Sequence, residues 1–325
     1  MKVFISRAIP AIATELMEQA GLTVTQFPDR RNMSRQELID ACKQHDALLS
    51  VGHEHLDKDF LQTCSHLKVI SLYSVGFDKI DVVEATKLGI PVGNTPGVLS
   101  AATADTAFLL MLAVSRKAFF HHKKILNGLW SYYDPTADLG IELYGKTIGI
   151  LGLGKIGFEM AKRCKGAYDM KVIYHNRSTN PEAEQELGAS RVSFEELLSQ
   201  SDVISVHTAL TPETKGKFNK DAFSKMKSSA IFINTARGGI HDEADLKDAL
   251  ESGTIWGAGL DVTNPEPMAS DNPLLQFPNT AILPHIGSAT VEAREGMARR
   301  AAENVIAGLK GESLPYAVNP EVKIR

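Results

Sequence analysis

Three segments of this 325-residue chain each close an apolar run with a side chain suited to proton or carboxylate chemistry. Asn234-Thr-Ala-Arg237-Gly238-Gly239 follows residues 230–233, Asp261-Val-Thr-Asn-Pro-Glu266-Pro267 follows 257–260, and Pro284-His285-Ile-Gly-Ser288 follows 280–283. If the runs are strands of one open α/β sheet, their ends fall where such sheets bind ligands. His285 suits a proton donor, because imidazole titrates near neutral pH. Glu266, hydrogen-bonded to that ring, would favour the imidazolium and raise its pKa. Arg237 offers a planar donor fork for a carboxylate and the oxygen beside it. Together they suit reduction of a ketone next to a carboxylate, with the largest electrostatic gain as charge develops on the oxygen. Singly each is bland: a strand-end histidine is more often structural, and Arg237–Glu266 could be a plain salt bridge. The coincidence of the three carries the reading.

A hydride source is also legible. Gly152-Leu-Gly154-Lys155-Ile156-Gly157 directly follows an apolar run over 147–151 and opens a helix that runs to Arg163. In that context the first glycine permits the turn and the second lets the backbone approach a pyrophosphate. The third lets helix and strand pack closely, and the helix N-terminus, with Lys155 and Ile156, presents free N–H donors. The next strand ends His175-Asn176-Arg177-Ser178, and no acid lies between Met170 and Asn180. An acid there would accept from the ribose hydroxyls of NAD. Arg177 and Ser178 instead suit a 2′-phosphate. The expected cofactor is NADP(H), with NAD(H) possible.

The elements that must position these groups follow from periodicity. Runs at 2–6, 22–27, 47–51, 68–73 and 90–93 read as buried strands, separated by helical patterns at 11–20, 35–43 and 82–88. This alternation implies right-handed crossovers and parallel sheets with both faces covered. A long helix, apolar nearly all round, is expected over 101–122, buried between layers or domains. After it, six strands are expected at 147–151, 171–174, 203–207, 230–234, 255–260 and 280–283, the number a dinucleotide-binding sheet uses. A final helix from 291 to about 309 suggests that the tail returns to the first domain. The expected domains are 1–99 with 288–325, for the substrate, and 100–287, for the dinucleotide.

Composition narrows the partners. Hydrophobic residues make up 43% of the chain, enough to bury real cores. With 35 Lys+Arg against 39 Asp+Glu the net charge is −4, so no electrostatic reason exists to expect nucleic acid or a membrane surface. Cys42, Cys64 and Cys164 are odd in number and far apart, which argues against a disulfide framework or zinc knuckle and for a reducing compartment. The first apolar run is too short for a signal peptide, and no run could span a membrane. A cytoplasmic location is expected.

Further motifs extend the pattern: Ser74-Val75-Gly76-Phe-Asp78-Lys-Ile-Asp81, Asn94-Thr-Pro-Gly-Val98, Thr103-Ala-Asp105 and Leu210-Thr-Pro212-Glu-Thr214. With the glycine fingerprint and the three strand-end segments, they cover almost the whole chain. On them the chain resembles the D-2-hydroxyacid dehydrogenase family, and within it the glyoxylate/hydroxypyruvate reductase (2-ketoacid reductase) branch. The resemblance implies two doubly wound parallel-sheet domains, a Rossmann cofactor domain and a flavodoxin-like substrate domain, with the active site in the cleft. It also implies a homodimer built on the cofactor domains. By the same resemblance Arg237 binds substrate, Glu266 tunes the histidine and His285 is the acid/base. The N–H groups of Val75 and Gly76 would bind the substrate carboxylate, beside the loop 49–52. Thr103 would touch the cofactor, Asp261 would hold the nicotinamide carboxamide, and Thr235, Ala236 and Gly287 would line the nicotinamide end. Ala209 to Pro212 would flank the adenine.

The implied activity is reduction of small 2-oxo acids, such as glyoxylate and hydroxypyruvate, to D-2-hydroxy acids by NADPH. A 2-ketogluconate-type sugar-acid reductase is the nearest alternative, and a non-enzymatic nucleotide-sensing, corepressor-like protein a more distant one. The compact length and lack of disordered tails speak against the latter. Formate oxidation is disfavoured, since Glu266 stands where those enzymes would carry a neutral amide. Besides the missing acid, one departure stands out. His241, in Gly239-Ile-His241-Asp242, occupies a position where relatives mostly carry an apolar residue. A surface position, with no role, is expected for it.

Other ionisable or aromatic clusters read plainly. His53-Glu-His55 has i, i+2 spacing that points its rings apart, so solvated loop residues are expected rather than a metal site. His121-His122 would cap the end of the long helix. Trp130 and Tyr132-Tyr133 would line the substrate mouth or a subunit interface, or simply pack. Residues 135–143 read as an exposed arm.

Overall fold

The computed structural model describes residues 1–52 and 54–322. They form two compact units, one within 1–99 and 289–322 and the other 100–288. His53, the first residue of the His53-Glu-His55 motif, lies outside the described residues.

The first unit holds a five-stranded sheet, all parallel, in the order β2-β1-β3-β4-β5. Its strands are β1 (Lys2–Ile5), β2 (Thr23–Gln26), β3 (Ala47–Ser50), β4 (Val69–Leu72) and β5 (Val92–Gly93). The Ala-Leu-Leu-Ser and Val-Ile-Ser-Leu runs of β3 and β4 are buried throughout, as central parallel strands covered on both faces must be. The crossover helices are α1 (Ile12–Gln19), α2 (Arg35–Cys42), α3 (Lys58–Thr63) and α4 (Val82–Lys87). Ser34 starts α2 with a reciprocal capping box to Glu37, while Asp57 and Asp81 cap α3 and α4 through their carboxylates. Helix α3 was not expected; at six residues it is too short to show a periodic stripe.

The tail completes this unit. The helix Val291–Lys310 packs on α1, β3 and β4. The buried Asn319 then accepts from the Val92 N–H at 2.7 Å and donates to the Ile90 carbonyl. A Cβ on Gly308 would stand 2.7 Å from the Val69 Cβ, so the helix seats on β4 at backbone distance. Gly308→Ala should therefore cost about 1–3 kcal/mol through overpacking, seen as a lower urea midpoint. An unchanged midpoint would mean the helix is not seated there.

The second unit holds a seven-stranded parallel sheet in the order β12-β11-β10-β9-β6-β7-β8. It opens with helices α5 (Ser100–Ser115) and α6 (Ala118–Leu126), where one continuous helix was expected. Lys117 is left-handed, with φ 49°, and breaks the run. No Gly or Pro marks the break. The reason is tertiary: the Ser115 carbonyl accepts from the Ile141 N–H at 2.8 Å, so it is bound to a returning segment at the point where α5 stops. His121 and His122 consequently lie within α6 rather than capping a terminus. Trp130, Tyr132 and Tyr133 are 71%, 72% and 84% exposed, which excludes the packing reading for them.

The strands are β6 (Thr147–Leu151), β7 (Lys171–His175), β8 (Ser190–Arg191), β9 (Val203–Val206), β10 (Ile231–Asn234), β11 (Gly257–Leu260) and β12 (Thr280–Ile282). The seventh, β8, escaped the sequence analysis because its two residues are polar and exposed. The helices between them are α7 (Lys155–Tyr168), α8 (Pro181–Leu187), α9 (Phe194–Gln200), α10 (Lys220–Ser224) and α11 (Glu243–Glu251). Alternation along β10 divides the core: Ile231 and Ile233 join a cluster with α5 and α7, while Phe232 joins Phe218, Phe223 and Ile204. No helix among the described residues is long and apolar enough to cross a membrane.

Candidate active site

The glycine turn lies between β6 and α7. Gly152 has φ +93°, and a Cβ there would stand 2.6 Å from the Thr208 nitrogen, just beyond β9. A Cβ on Gly157 would stand 2.5 Å from the Gly152 carbonyl oxygen. Both glycines are demanded by protein contacts. Gly154 is not, since nothing lies within 4 Å of its would-be Cβ. That open space faces the start of α7, where Gly154 gives no side-chain cap. Uncapped N–H donors beside an open cradle fit a dinucleotide pyrophosphate. The turn sits where the strand order reverses, between β6 and β9.

Beyond β7, the expected cofactor residues divide. Asn176 is turned toward the protein: its Oδ1 accepts from the Leu153 N–H at 2.7 Å and its Nδ2 donates to the Leu153 carbonyl. Arg177 and Ser178 are exposed. Arg191, on β8, was missed by the sequence analysis. Its guanidinium donates to the carbonyls of Asn176 and Arg177, at 3.1 and 2.9 Å, and so braces this turn with a second positive charge. No motif marks Arg191; only the pairing of β7 with β8 brings it here. Glu213 also approaches: a hydrogen bond from Thr211, and more weakly the charge of Arg177, hold its carboxyl below the ordinary value. Ala209 and Pro212 belong to the same loop, closed by Thr214 Oγ1, which donates to the Ala209 carbonyl at 2.7 Å.

The three chemistry-bearing segments leave adjacent parallel strands, in register Asn234↔Leu260↔Ile282. Their ends are side by side. Asp261 follows β11, is 1% exposed, and accepts from the N–H groups of Ile286 and Gly287 at 2.8 and 2.7 Å. Burial pushes its carboxyl above the ordinary value, against the pull of those two donors. The residue before them, His285, sits in the left-handed region at φ 54°. Asp261 thus clamps the left-handed turn that carries His285. Clamped so, His285 places Nδ1 3.2 and 3.3 Å from the two Glu266 oxygens. The imidazole is half-exposed and the carboxylate more covered. Thr103, on α5, approaches Gly287 so closely that a Cβ there would touch both it and Asp261. Three expected cofactor residues therefore gather at one point.

Arg237 leaves β10 from a turn tied by Asn234, and its Nη1 donates to the Ala236 carbonyl at 2.7 Å. A Cβ on the next residue, Gly238, would collide with the Thr263 carbonyl, so only glycine lets this turn pass the β11 loop. Thr235 is buried beside it. In the first unit, Ser74 Oγ and Asn94 Nδ2 donate to the carbonyls of Gly76 and Val75, at 2.7 and 2.8 Å, fixing the turn that carries their N–H groups.

His241 is not on the surface. It is 2% exposed, lies edge-on to Phe232 and places Nδ1 3.0 Å from Asn234 Nδ2. A polar residue two positions beyond a pair of glycines carries no local sign of burial. Bridge pairing of Phe218 with His241 buries it instead.

Residues 108–287 match the family described as D-isomer specific 2-hydroxyacid dehydrogenase, NAD binding domain. A glyoxylate reductase of Thermococcus litoralis is 45% identical over 325 residues, covering 99% of this chain and 97% of that protein. The crystal structure of a glyoxylate reductase from Paecilomyes thermophila is similar at 36% identity and a TM-score of 0.88, covering 99% of this chain and 98% of that one. An NADPH-dependent glyoxylate/hydroxypyruvate reductase from Sinorhizobium meliloti, in complex with NADP and malonate, aligns at 28% identity and a TM-score of 0.85, covering 100% and 98%. The chain belongs to the D-isomer specific 2-hydroxyacid dehydrogenase family. Its second unit is the nicotinamide-dinucleotide domain of that oxidoreductase family.

Burial pushes the His241 pKa down from 6.5 to about 4. Its folded value is depressed, so the unfolded chain takes up the proton first. The group's stabilising effect is complete above about pH 6.5 and is lost as the pH falls toward 4, by about 3 kcal/mol at most. Urea unfolding at neutral and acid pH should show a smaller loss for His241→Leu than for the unaltered protein. Equal losses would contradict a buried neutral ring.

Proposed function

We propose that this protein reduces small 2-oxo acids, glyoxylate and hydroxypyruvate among them, to D-2-hydroxy acids, with NADPH preferred over NADH. The observation that carries the reading is the His285–Glu266 pair, at 3.2 Å, which joins the segments after β12 and β11, beside the end of β10 that bears Arg237. The names of the similar reductases support the substrate class.

When bound, the nicotinamide supplies the hydride. The chain's own groups do the rest. Arg237 holds the carboxylate and the carbonyl oxygen of the 2-oxo acid in its donor fork. Glu266 accepts from His285 Nδ1–H, which fixes the ring and leaves Nε2 to give its proton to the nascent alkoxide. The N–H groups of Val75 and Gly76 are proposed as further holders of the carboxylate. Thr103, Thr235, Ala236, Asp261 and Gly287 form the nicotinamide end, and Gly152, Gly154, Lys155, Ile156 and Gly157 the pyrophosphate cradle. Preference for NADPH rests on the exposed Arg177 and Ser178, braced by Arg191, on a turn without an acid of its own. Glu213 works against that preference through its charge. We also propose a homodimer, as the resemblance implies, with Trp130, Tyr132 and Tyr133 among the side chains it covers.

Oxidation of NADPH and NADH with glyoxylate, hydroxypyruvate and 2-ketogluconate tests the reading. No turnover on any of them would defeat it, and 2-ketogluconate as the best substrate would move it to the sugar-acid branch. His285→Ala should lower kcat by about 10²–10⁴-fold while NADPH binding changes little; lost cofactor affinity instead would mean the proton role is misassigned. Arg177→Ala should weaken NADPH about 10–100-fold, from one charge-assisted contact, and leave NADH nearly untouched. Equal weakening of both would remove the basis for NADPH preference.

A further inference from the structure

Asn234 is fully buried, and its amide brackets the two residues that present the guanidinium. Oδ1 accepts from the Ala236 N–H at 3.0 Å, and Nδ2 donates to the Arg237 carbonyl at 2.9 Å. The other Nδ2 hydrogen points at His241 Nδ1, 3.0 Å away. Facing a donor, Nδ1 must be the acceptor, which puts the ring proton on Nε2. Nε2 is buried and has no hydrogen-bond partner among the described residues. An apolar side chain here would spare the unpaired Nε2–H but leave the second Nδ2 hydrogen of Asn234 without an acceptor. The imidazole carries the unpaired N–H, and its ring nitrogens have one polar contact among the described residues, the one with Asn234.

We propose that His241 is a positioning residue for Arg237. By accepting from Asn234 it gives the second amide hydrogen a partner and so steadies the amide that ties the Ala236–Arg237 backbone. A flipped amide would set donor against the Ala236 N–H and acceptor against the Arg237 carbonyl, so these two backbone groups specify the rotamer and His241 Nδ1 accepts the remaining amide hydrogen. His241 touches no substrate in this scheme; it acts through Asn234 on the backbone from which the fork projects. The functional consequence rests on the reading of Arg237 as the substrate's carboxylate holder.

Two variants and one direct measurement test it. His241→Leu removes the acceptor, and His241→Asn keeps an oxygen near the position of Nδ1. Hydrogen exchange at the Ala236 amide should quicken about tenfold or more in His241→Leu and return to within about threefold in His241→Asn. With saturating NADPH, His241→Leu should raise KM for glyoxylate about tenfold and change kcat by less than about threefold, with His241→Asn restoring KM. Unchanged exchange in His241→Leu, equal damage in both variants, or a fall in kcat at constant KM would each overturn the proposal. If the unaltered protein turns over no 2-oxo acid, the functional reading fails, and exchange at Ala236 still decides the positioning. Should His241→Leu not fold, nitrogen NMR of the unaltered protein serves: a protonated Nδ1 on His241 at neutral pH would refute the proposal, and an unprotonated Nδ1 coupled to Asn234 Nδ2 would support it.

Discussion

A buried carboxylate holds the acid–base pair in place. Asp261, at the end of β11, accepts two consecutive N–H groups from the turn beyond β12. Without it, the left-handed backbone of His285 would cost about 1–2 kcal/mol with nothing to offset it. Burying the carboxylate is itself unfavourable, which the upward displacement of its pKa records. The two charge-assisted bonds offset that cost and fix the direction of the imidazole. Glu266 then meets a ring that is already aimed, rather than having to hold a mobile one.

The same device recurs one strand away. Asn234 is to Arg237 what Asp261 is to His285: a buried polar side chain that bonds the backbone of a strand-end turn, its own turn for Asn234 and the turn beyond the neighbouring β12 for Asp261. In both cases the functional side chain is left partly exposed while its support is sealed. Rigid support of this kind gives a guanidinium or imidazole a fixed direction at small entropic cost on binding. Gly238 completes the arrangement, because the β10 and β11 loops pass each other at a distance that excludes any Cβ.

On the dinucleotide side, positioning and recognition fall to different residues. Among the described residues the side chains of Asn176 and Arg191 bond backbone groups alone, at 2.7 to 3.3 Å, and give the turns their shape. Arg177 and Ser178 are left facing solvent at the end of β7. Glu213 places a negative charge near the same turn, so the balance between two cations and one anion sets the potential there. That balance is a property of two loops and a strand together, the loops after β7 and β9 and the edge strand β8.

Much of this was readable before any coordinates. Apolar runs separated by helical patterns specify parallel strands and crossovers, because burial on both faces leaves strand residues little choice of type. Glycine spacing after a strand specifies the dinucleotide turn for steric reasons that are local. The register of three strand ends follows from the same pattern and brings Arg237, Glu266 and His285 into neighbouring segments. Other features belong to the tertiary structure alone. The break at Lys117 arises because Ser115 bonds a segment some twenty-five residues later. Arg191 sits on a two-residue edge strand with no hydrophobic signature. The burial of His241 depends on Phe218 pairing across it, and the conversion of Asp261 and Asn234 into backbone clamps depends on which N–H groups the fold delivers to them. Local sequence encodes what one segment prefers. Which distant partner satisfies a buried polar atom is decided only when the segments pack.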